Sequence, residues 1–575
     1  MSTLRASLTT PTSLHPGIAL GCLVVLLAWL LPNRSPPWTV FYNELWMALA
    51  LLPLAVWLGL RSRAPLRVPM AAVVVAVFAA VPLLQWSAGL VHYLGDASLA
   101  AMYLLGLALC IAVGARWRDV AASAAAPWVF ITLMWAAVLS THLALLQWLR
   151  LVTLGVLLAD LPIGWRPTGN ISQANHLASL VFLGLVSIWA LHLRGLVRAS
   201  VAWLAAAYLL FGMAMTQSRT GWVEIALLAA AALIWPQRLH SRRIAWGLLS
   251  LLATFVALVL LWPTLSQALL LDGGLSLGGQ AQGGRRPALW LAMFEAVLTS
   301  PWAGYGWTQL VLAQQQLALT PGGAAPLQLT FTYAHNLWLD LLLWNGVPLG
   351  LLACALIAVW FVLQARRVQS SDDSLLFIAL LGLMLHAQFE FPHAYAYFLL
   401  PAGVMAGLLP RGRVDVGVAR GAALALLLVA GAAMAALTRD YIAAEEAWQR
   451  VRMLAARIQL APEQAPVRLR GLDQLQALID QAKADPKADM TPAELAAMRT
   501  AVARFPGSAG WYRLALMEAR HANVAQATRA LTLLCAMHPP PVCAKALIAW
   551  RTQALVDWRM APVALPETAP GTPTP

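Results

Sequence analysis

The chain of 575 residues is 61% hydrophobic and only 11% charged, with a formal net charge of +14. That balance excludes a soluble domain of this length and marks a polytopic membrane protein. Loops between apolar stretches hold most of the positive charge, and no interleaved basic and aromatic surface remains for a nucleic-acid function.

Stretches long enough to cross roughly 30 Å of hydrocarbon lie at about 17–31, 38–60, 68–86, 97–114, 127–148, 172–192 and 199–215. Others follow at about 220–235, 244–263, 337–363, 374–391, 394–410 and 419–437. An all-α protein with about thirteen transmembrane helices is expected. The first stretch lacks a small-residue cleavage site and is followed by further spans, so it reads as a retained helix. One alternate set of loops holds "RSRAPLR" (61–67), "ARWRD" (115–119), "HLRGLVR" (192–198), "PQRLHSRR" (236–243), "ARR" (365–367) and "RGRVDVGVAR" (411–420). Positively charged short loops stay in the cytoplasm. The amino terminus is therefore expected inside, and an odd helix count places the carboxy-terminal segment outside.

Two outward segments, 149–171 and about 264–336, are too long to be turns, and loops of that size are usually functional. The first ends in "RPTGNISQANHLASL"; the second holds "GGRRPALWLAMFEAVLTSPWAGYGW" and "FTYAHNLWLD". "TQSRTGW" (216–222) and "HAQFEFPHAYAYFLLP" (386–401) fall at helix junctions on the same expected face. Together they supply Gln173, Asn175, His176, Arg219, Arg285, Arg286, His335, Asn336, Glu390, His393, Tyr395 and Tyr397. Such groups at membrane depth are costly and persist where something polar offsets them. Arg219, Arg285 and Arg286 lie on the side that the positive-inside rule leaves poor in arginine. An anionic partner accounts for them, and a diphosphate suits guanidinium forks. Each residue also has a plainer reading. Arg219 could snorkel, Arg285 and Arg286 could form a solvated pair, and His335 could be a helix-entry residue. Glu390 could pair with an arginine, and Gln173 and Asn175 could cap a helix. Convergence on one face is what favours a site.

Past residue 437 the chain turns polar. Segments 441–460, 492–506, 509–522 and 523–539 show helical periodicity with Ala at close-packing positions, the pattern of paired, tetratricopeptide-like helices. Residues 438–560 are expected to form an external helical domain and 561–575, rich in Pro and Thr, a disordered tail. Cys22, Cys110 and Cys354 fall in apolar helices as small hydrophobes. Cys535 and Cys543 flank "AMHPPPV" and are either a disulfide across a Pro-braced turn or two buried thiols.

These segments resemble the bacterial O-antigen ligase and polymerase superfamily. "SRTGW" is similar to its Ser-Arg-Thr at a helix junction. "RPALW…SPWAGYGW" is similar to its Arg, then Trp four residues on, then Pro-x-x-Gly-x-Gly, a register that selects Arg286 over Arg285. "AHNLWLDLLLWNGVPLG" is similar to its His-Asn helix entry. Within the superfamily, "TGNISQANHLASL" and "FEFPHAYAYFLLP" resemble segments of the protein O-oligosaccharyltransferases, with Phe391 where a tyrosine is usual. The resemblance covers about 170–401; the first five helices carry no usable motif.

The resemblance implies a transmembrane glycan-ligase domain over 1–437 that transfers an oligosaccharide from undecaprenyl diphosphate to Ser or Thr hydroxyls of periplasmic proteins such as pilin, with inversion. Localisation in the bacterial inner membrane, with a periplasmic site, follows from it. Arg219 and Arg286, helped by Arg285, would bind the diphosphate, and His335 would be the general base. Gln173, Asn175, His176, Asn336, Glu390 and Tyr395 would orient the substrates. No cofactor is expected, and no metal, since the outward side offers no clustered carboxylates. The alternatives are a lipopolysaccharide O-antigen ligase with a lipid A core acceptor and a non-enzymatic transporter of lipid-linked glycan.

Overall fold

The computed structural model describes residues 16–32, 35–60, 66–151, 154–162, 164–171, 173–269, 271, 284, 286–320, 327–412, 414–460, 467–486 and 489–566. In chain order the helices begin with α1 (Pro16–Leu30), α2 (Phe41–Leu60), α3 (Met70–Phe78) and α4 (Ala80–Ser87). A non-helical residue, Ala121, kinks the next long segment into α5 (Leu94–Ala121) and α6 (Ala124–Trp148). Then come α7 (Ala174–Leu193), α8 (Ala199–Thr216), α9 (Arg219–Ile234), α10 (Ser241–Ala268), α11 (Arg286–Thr299) and α12 (Leu310–Leu319). They are followed by α13 (Leu337–Arg367), α14 (Ser371–His386), α15 (Ala396–Leu408) and α16 (Arg420–Ala455). One short antiparallel pair, β1 (Leu66–Pro69) with β2 (Asp415–Val418), joins Leu66 to Val418 and was not expected.

Among the described residues nine helical segments are long and apolar enough to cross a membrane. Each of the thirteen expected stretches coincides with helix, but four of those helices are shorter. They are α1, α9, α14 and α15, of 15, 16, 16 and 13 residues. Three of these shorter helices have an end in the polar site described below: α9 starts at Arg219, and α14 and α15 flank residues 387–395.

The central helix is α7, most of whose residues are buried. Close approach is achieved by small residues. A Cβ added to Gly184 of α7 would lie 2.4 Å from the Cβ of Ala137 in α6, and one on Gly114 of α5 would lie 2.1 Å from the Val404 carbonyl in α15. This is how helices pack where lipid supplies no hydrophobic drive between them.

The segment expected as a long loop at 264–336 holds two helices, α11 and α12. A turn of backbone at residues 300–307 fixes α11 against α13. Gly346 breaks α13 with φ 73°, and Val347 donates to the Pro301 carbonyl at 2.6 Å while Tyr305 donates to the Leu343 carbonyl at 2.7 Å. Gly304 also has positive φ, and a side chain there would meet the Leu343 carbonyl at 2.3 Å. The Pro-x-x-Gly-x-Gly run is thus the device that seats one backbone inside another.

Helix α16 runs through residue 437 without interruption and leads into α17 (Asp473–Lys483), α18 (Pro492–Arg504), α19 (Ser508–Arg520), α20 (Val524–Met537) and α21 (Pro540–Ala554). The helices expected at 492–506, 509–522 and 523–539 are α18, α19 and α20, and that at 441–460 is largely the second half of α16. Cys535 and Cys543 are bridged. The Arg504 guanidinium forks onto Asp96 at 2.6 and 2.9 Å, and Asp473 accepts from the amides of Leu94 and Gly95 at 3.1 and 2.7 Å, capping α5. The helical domain is thereby fastened to the bundle. Most of the tail expected to be disordered, 567–575, lies outside the described residues.

Candidate active site

Glu390 is the hub. It lies between α14 and α15, is 4% exposed, and its backbone N–H donates to the His386 carbonyl at 2.9 Å. One carboxylate oxygen accepts from Arg286, the first residue of α11, and from the Asn175 amide at 2.7 Å. The other meets His335 Nδ1 at 2.7 Å. Burial alone would push this carboxyl up, but the His335 hydrogen bond and the Arg286 charge outweigh it and bring the pKa to about 2. The group is therefore an anion, which accepts only. His335 Nδ1 must carry the proton, leaving Nε2 as the basic nitrogen.

His335 is held with φ 53°, a left-handed conformation uncommon for a non-glycine residue, by contacts on both sides. Trp290 Nε1 donates to the Ala334 carbonyl at 2.9 Å, and the Ala334 amide donates to Asp340 at 2.8 Å. The Leu337 amide donates to the Ala387 carbonyl at 2.8 Å. The four-residue spacing of Arg286 and Trp290 puts both on one face of α11: the arginine reaches Glu390 and the tryptophan grips the backbone before His335. The ring of Phe391 stands edge-on to His335 at 4.8 Å and stacks on Tyr333 at 4.8 Å.

Of the sequence-derived residues, Asn175, Arg286, His335 and Glu390 meet directly. Asn175 also accepts from the Ser218 hydroxyl at 2.8 Å, which ties the start of α7 to the residue before Arg219. Arg219 is exposed at the first position of α9, and a Cβ at residue 284 would lie 3.4 Å from its guanidinium, so it flanks the start of α11. Arg285 lies outside the described residues. Asn336 is the N-cap of α13, its side chain accepting from Leu339 N at 3.2 Å. Gln173 occupies the N-cap position of α7 without a side-chain cap bond, and its buried Oε1 has no hydrogen-bond partner among the described residues. His176 is 1% exposed and sits beneath the site, 4.6 Å from Tyr395 and 5.5 Å from His386 between ring centres. Tyr395 stacks on Phe391 at 5.8 Å. Both form the floor on which the upper residues rest.

Sequence reasoning did not assign a second layer. Ser179 donates to Glu224, and His386 Nδ1 lies 2.6 Å from the Ser179 hydroxyl; all three are fully buried. Ser179 sits about one turn below Asn175 on α7 and Glu224 below Arg219 on α9, while His386, the last residue of α14, accepts from the Glu390 backbone amide. The chain of hydrogen bonds therefore staples the three helix ends that carry the site. Ionisable residues inside apolar helices were the available signal. Arg166 was also missed. Its guanidinium donates to the carbonyls of Thr216 and Gln217 at 3.3 and 3.1 Å. Burial holds it below its ordinary pKa, Glu390 acts against that shift, and Arg286 and Arg219 add to it. Among the described residues no group of three or more His, Cys, Asp or Glu is arranged to hold a metal ion.

Such an arrangement offers guanidinium groups and a partly exposed, carboxylate-fixed imidazole within one cluster. It can bind an anionic group and accept a proton beside it. Residues 204–354 match the O-antigen ligase family, and residues 375–547 match the C-terminal family of virulence factor membrane-bound polymerases. The chain is similar to the general O-oligosaccharyltransferase of Acinetobacter baylyi, 29% identical over 401 residues, which cover 68% of this chain and 69% of that protein. It is 26% identical over 390 residues to the ComP-specific O-oligosaccharyltransferase of the same organism, covering 66% and 69%. No solved structure matches significantly.

Proposed function

The chain belongs to the O-antigen ligase superfamily and is an enzyme of glycosyltransferase type, and from that premise we propose that it moves an oligosaccharide from undecaprenyl diphosphate to a Ser or Thr hydroxyl of a periplasmic, pilin-like protein. Membership leaves no place for a non-enzymatic transporter. The oligosaccharyltransferase activity of its relatives supports a protein acceptor, and the arginine-rich loops at the opposite end of the bundle support an inner-membrane enzyme whose site faces the periplasm.

The observation that carries the mechanism is the Glu390–His335 pair. The carboxylate holds the imidazole in one tautomer, as an acid does for the histidine of a hydrolase triad, and Nε2 takes the proton from the acceptor hydroxyl. The deprotonating oxygen attacks the anomeric carbon, the C1–O bond to the diphosphate breaks, and the bonding pair leaves with the phosphate. Arg219 and Arg286, with Arg285 as a helper, stabilise that developing charge without a metal ion. Asn175 and Glu390 set the position of Arg286 and His335, while Asn336, His176, Tyr395 and Gln173 shape the entry and floor. Direct attack inverts the anomeric centre.

Co-expression with a lipid-linked glycan pathway and a pilin tests this reading. Wild type yields glycosylated pilin, and His335→Ala lowers transfer by about 10²- to 10⁴-fold, the usual contribution of a general base. Glycan found only on lipid A core replaces the acceptor in this proposal, and undiminished transfer by the variant removes His335 from the chemistry.

A further inference from the structure

Helix α11 is apolar on two opposite faces, and its charged residues are Arg286 and Glu295. Leu289, Ala292, Met293, Ala296 and Val297 are buried, in one cluster with Leu310 of α12 and Leu343 of α13. On the other side Leu291, Phe294 and Leu298 recur at the spacing of a single helical face and are 73%, 55% and 62% exposed. Trp302, just past the helix, is 81% exposed. A side turned to water would carry polar residues. At 14 residues, about 21 Å, the helix is also too short to cross the hydrocarbon.

Two neighbouring helices fix the depth at which α11 lies. α13 ends in Arg366 and Arg367, and α14 starts soon after at Ser371, whose hydroxyl donates to the Arg238 carbonyl at 2.5 Å. Both therefore rise from the same arginine-rich end. Along α13, the stretch from Arg366 back to Gly346 is about 30 Å long, which matches the thickness of the hydrocarbon. A Cβ on Gly346 would lie 2.3 Å from the Trp302 carbonyl, so the far end of α11 is seated at that height. Along α14, the 16 residues Ser371–His386 rise about 24 Å, and Glu390 follows by one further turn with Arg286 bonded to it. Both ends of α11 thus lie close to one level, the outer boundary of the hydrocarbon, and the helix runs along the membrane plane.

We propose that the exposed stripe of α11 is embedded among the acyl chains of outer-leaflet phospholipid, making α11 an interfacial helix that holds Arg286 at headgroup depth. Leu351 and Leu352, exposed just below the break of α13, belong to its membrane span, so the bilayer reaches that helix directly beneath the residues on which Trp302 is seated. An indole at this level lies where tryptophan is enriched in membrane proteins. The proposal rests on the proposed function only for the anion that meets Arg286, and its test reads lipid contact rather than transfer.

The full chain in lipid nanodiscs, without donor or acceptor, carries an environment-sensitive fluorophore on Leu291→Cys, Phe294→Cys or Leu298→Cys, with Cys22, Cys110 and Cys354 changed to Ala. Arg551→Cys, exposed on α21, is the reference. Phospholipid brominated in its acyl chains quenches each stripe label at least about twofold more than the reference, and aqueous iodide quenches it at least about twofold less. Three positions keep the test intact if one variant fails to fold. Equal quenching at stripe and reference overturns the proposal. Shielding from iodide that appears only on adding a pilin-like acceptor, an undecaprenyl diphosphate donor or a second copy of the chain assigns the face to that occupant and likewise overturns it. Failure of the proposed glycan transfer would leave these quenching results unchanged.

Discussion

The two ends of the helix bundle treat arginine differently. At the end rich in basic loops, Arg194 forks onto Asp372, Arg118 bonds Asp373, and Arg411 bonds Asp119 and Asp415, each cation itself partly exposed. At the other end Arg286 shares the single buried carboxylate of Glu390 with His335 and Asn175, and Arg166 feels Glu390, Arg286 and Arg219 together. Paired surface charges are worth little, about 0–1 kcal/mol each. A buried anion that orders an imidazole and a guanidinium is worth much more to the chemistry than to stability. On the proposed reading, the first end sets topology and the second carries the reaction.

Breaking the hub should give the largest effect. Glu390→Gln keeps the shape and removes the charge, so transfer is expected to fall about 10²-fold or more as His335 loses its fixed tautomer. The carboxyl titrates at about 2 in the folded protein, below the ordinary value, so it binds fewer protons there than in the unfolded chain. Its contribution to stability is then full above the ordinary carboxylate pKa of about 4.5 and declines as pH falls toward 2. Melting temperatures of wild type and Glu390→Gln across that window check the sign; a gap that widens on acidification contradicts it.

An intermediate effect tests the layer beneath. Ser179→Ala removes the middle of the Glu224–Ser179–His386 chain without touching the upper residues, and turnover is expected to drop roughly tenfold through small shifts of three helix ends. Unchanged turnover alongside a lowered melting temperature would make this layer structural only. The smallest effect belongs to the other end of the bundle. Arg194→Ala should leave transfer within about twofold in a steady-state assay, and a loss comparable to that of Glu390→Gln would erase the contrast between the two ends.

Much of the fold was legible because a membrane forces a simple code. Each expected apolar stretch became helix, since backbone polar groups in hydrocarbon must bond within their own segment. The site was legible in part. His335, Arg286, Asn175 and Glu390 stood out as polar residues at helix ends, and they meet. Glu224, Ser179 and His386 did not, because a hydrogen bond between three helices has no spacing in any one of them. Arg166 was hidden among loop residues whose partners are backbone carbonyls, which no side-chain pattern reports. Asn336, expected to orient substrate, also caps α13 through its side-chain oxygen.

The sequence by itself determined that the chain is helical and membrane-spanning, with its arginines weighted to one end, because hydrophobic length and loop charge act locally along the chain. It also determined the spacing that puts Arg286 and Trp290 on one helical face. Only the tertiary structure decided that Glu390 joins His335 to Arg286 and that residues 300–307 lodge in the break of α13. Those contacts link residues far apart in the chain, and their geometry exists only once the helices have packed.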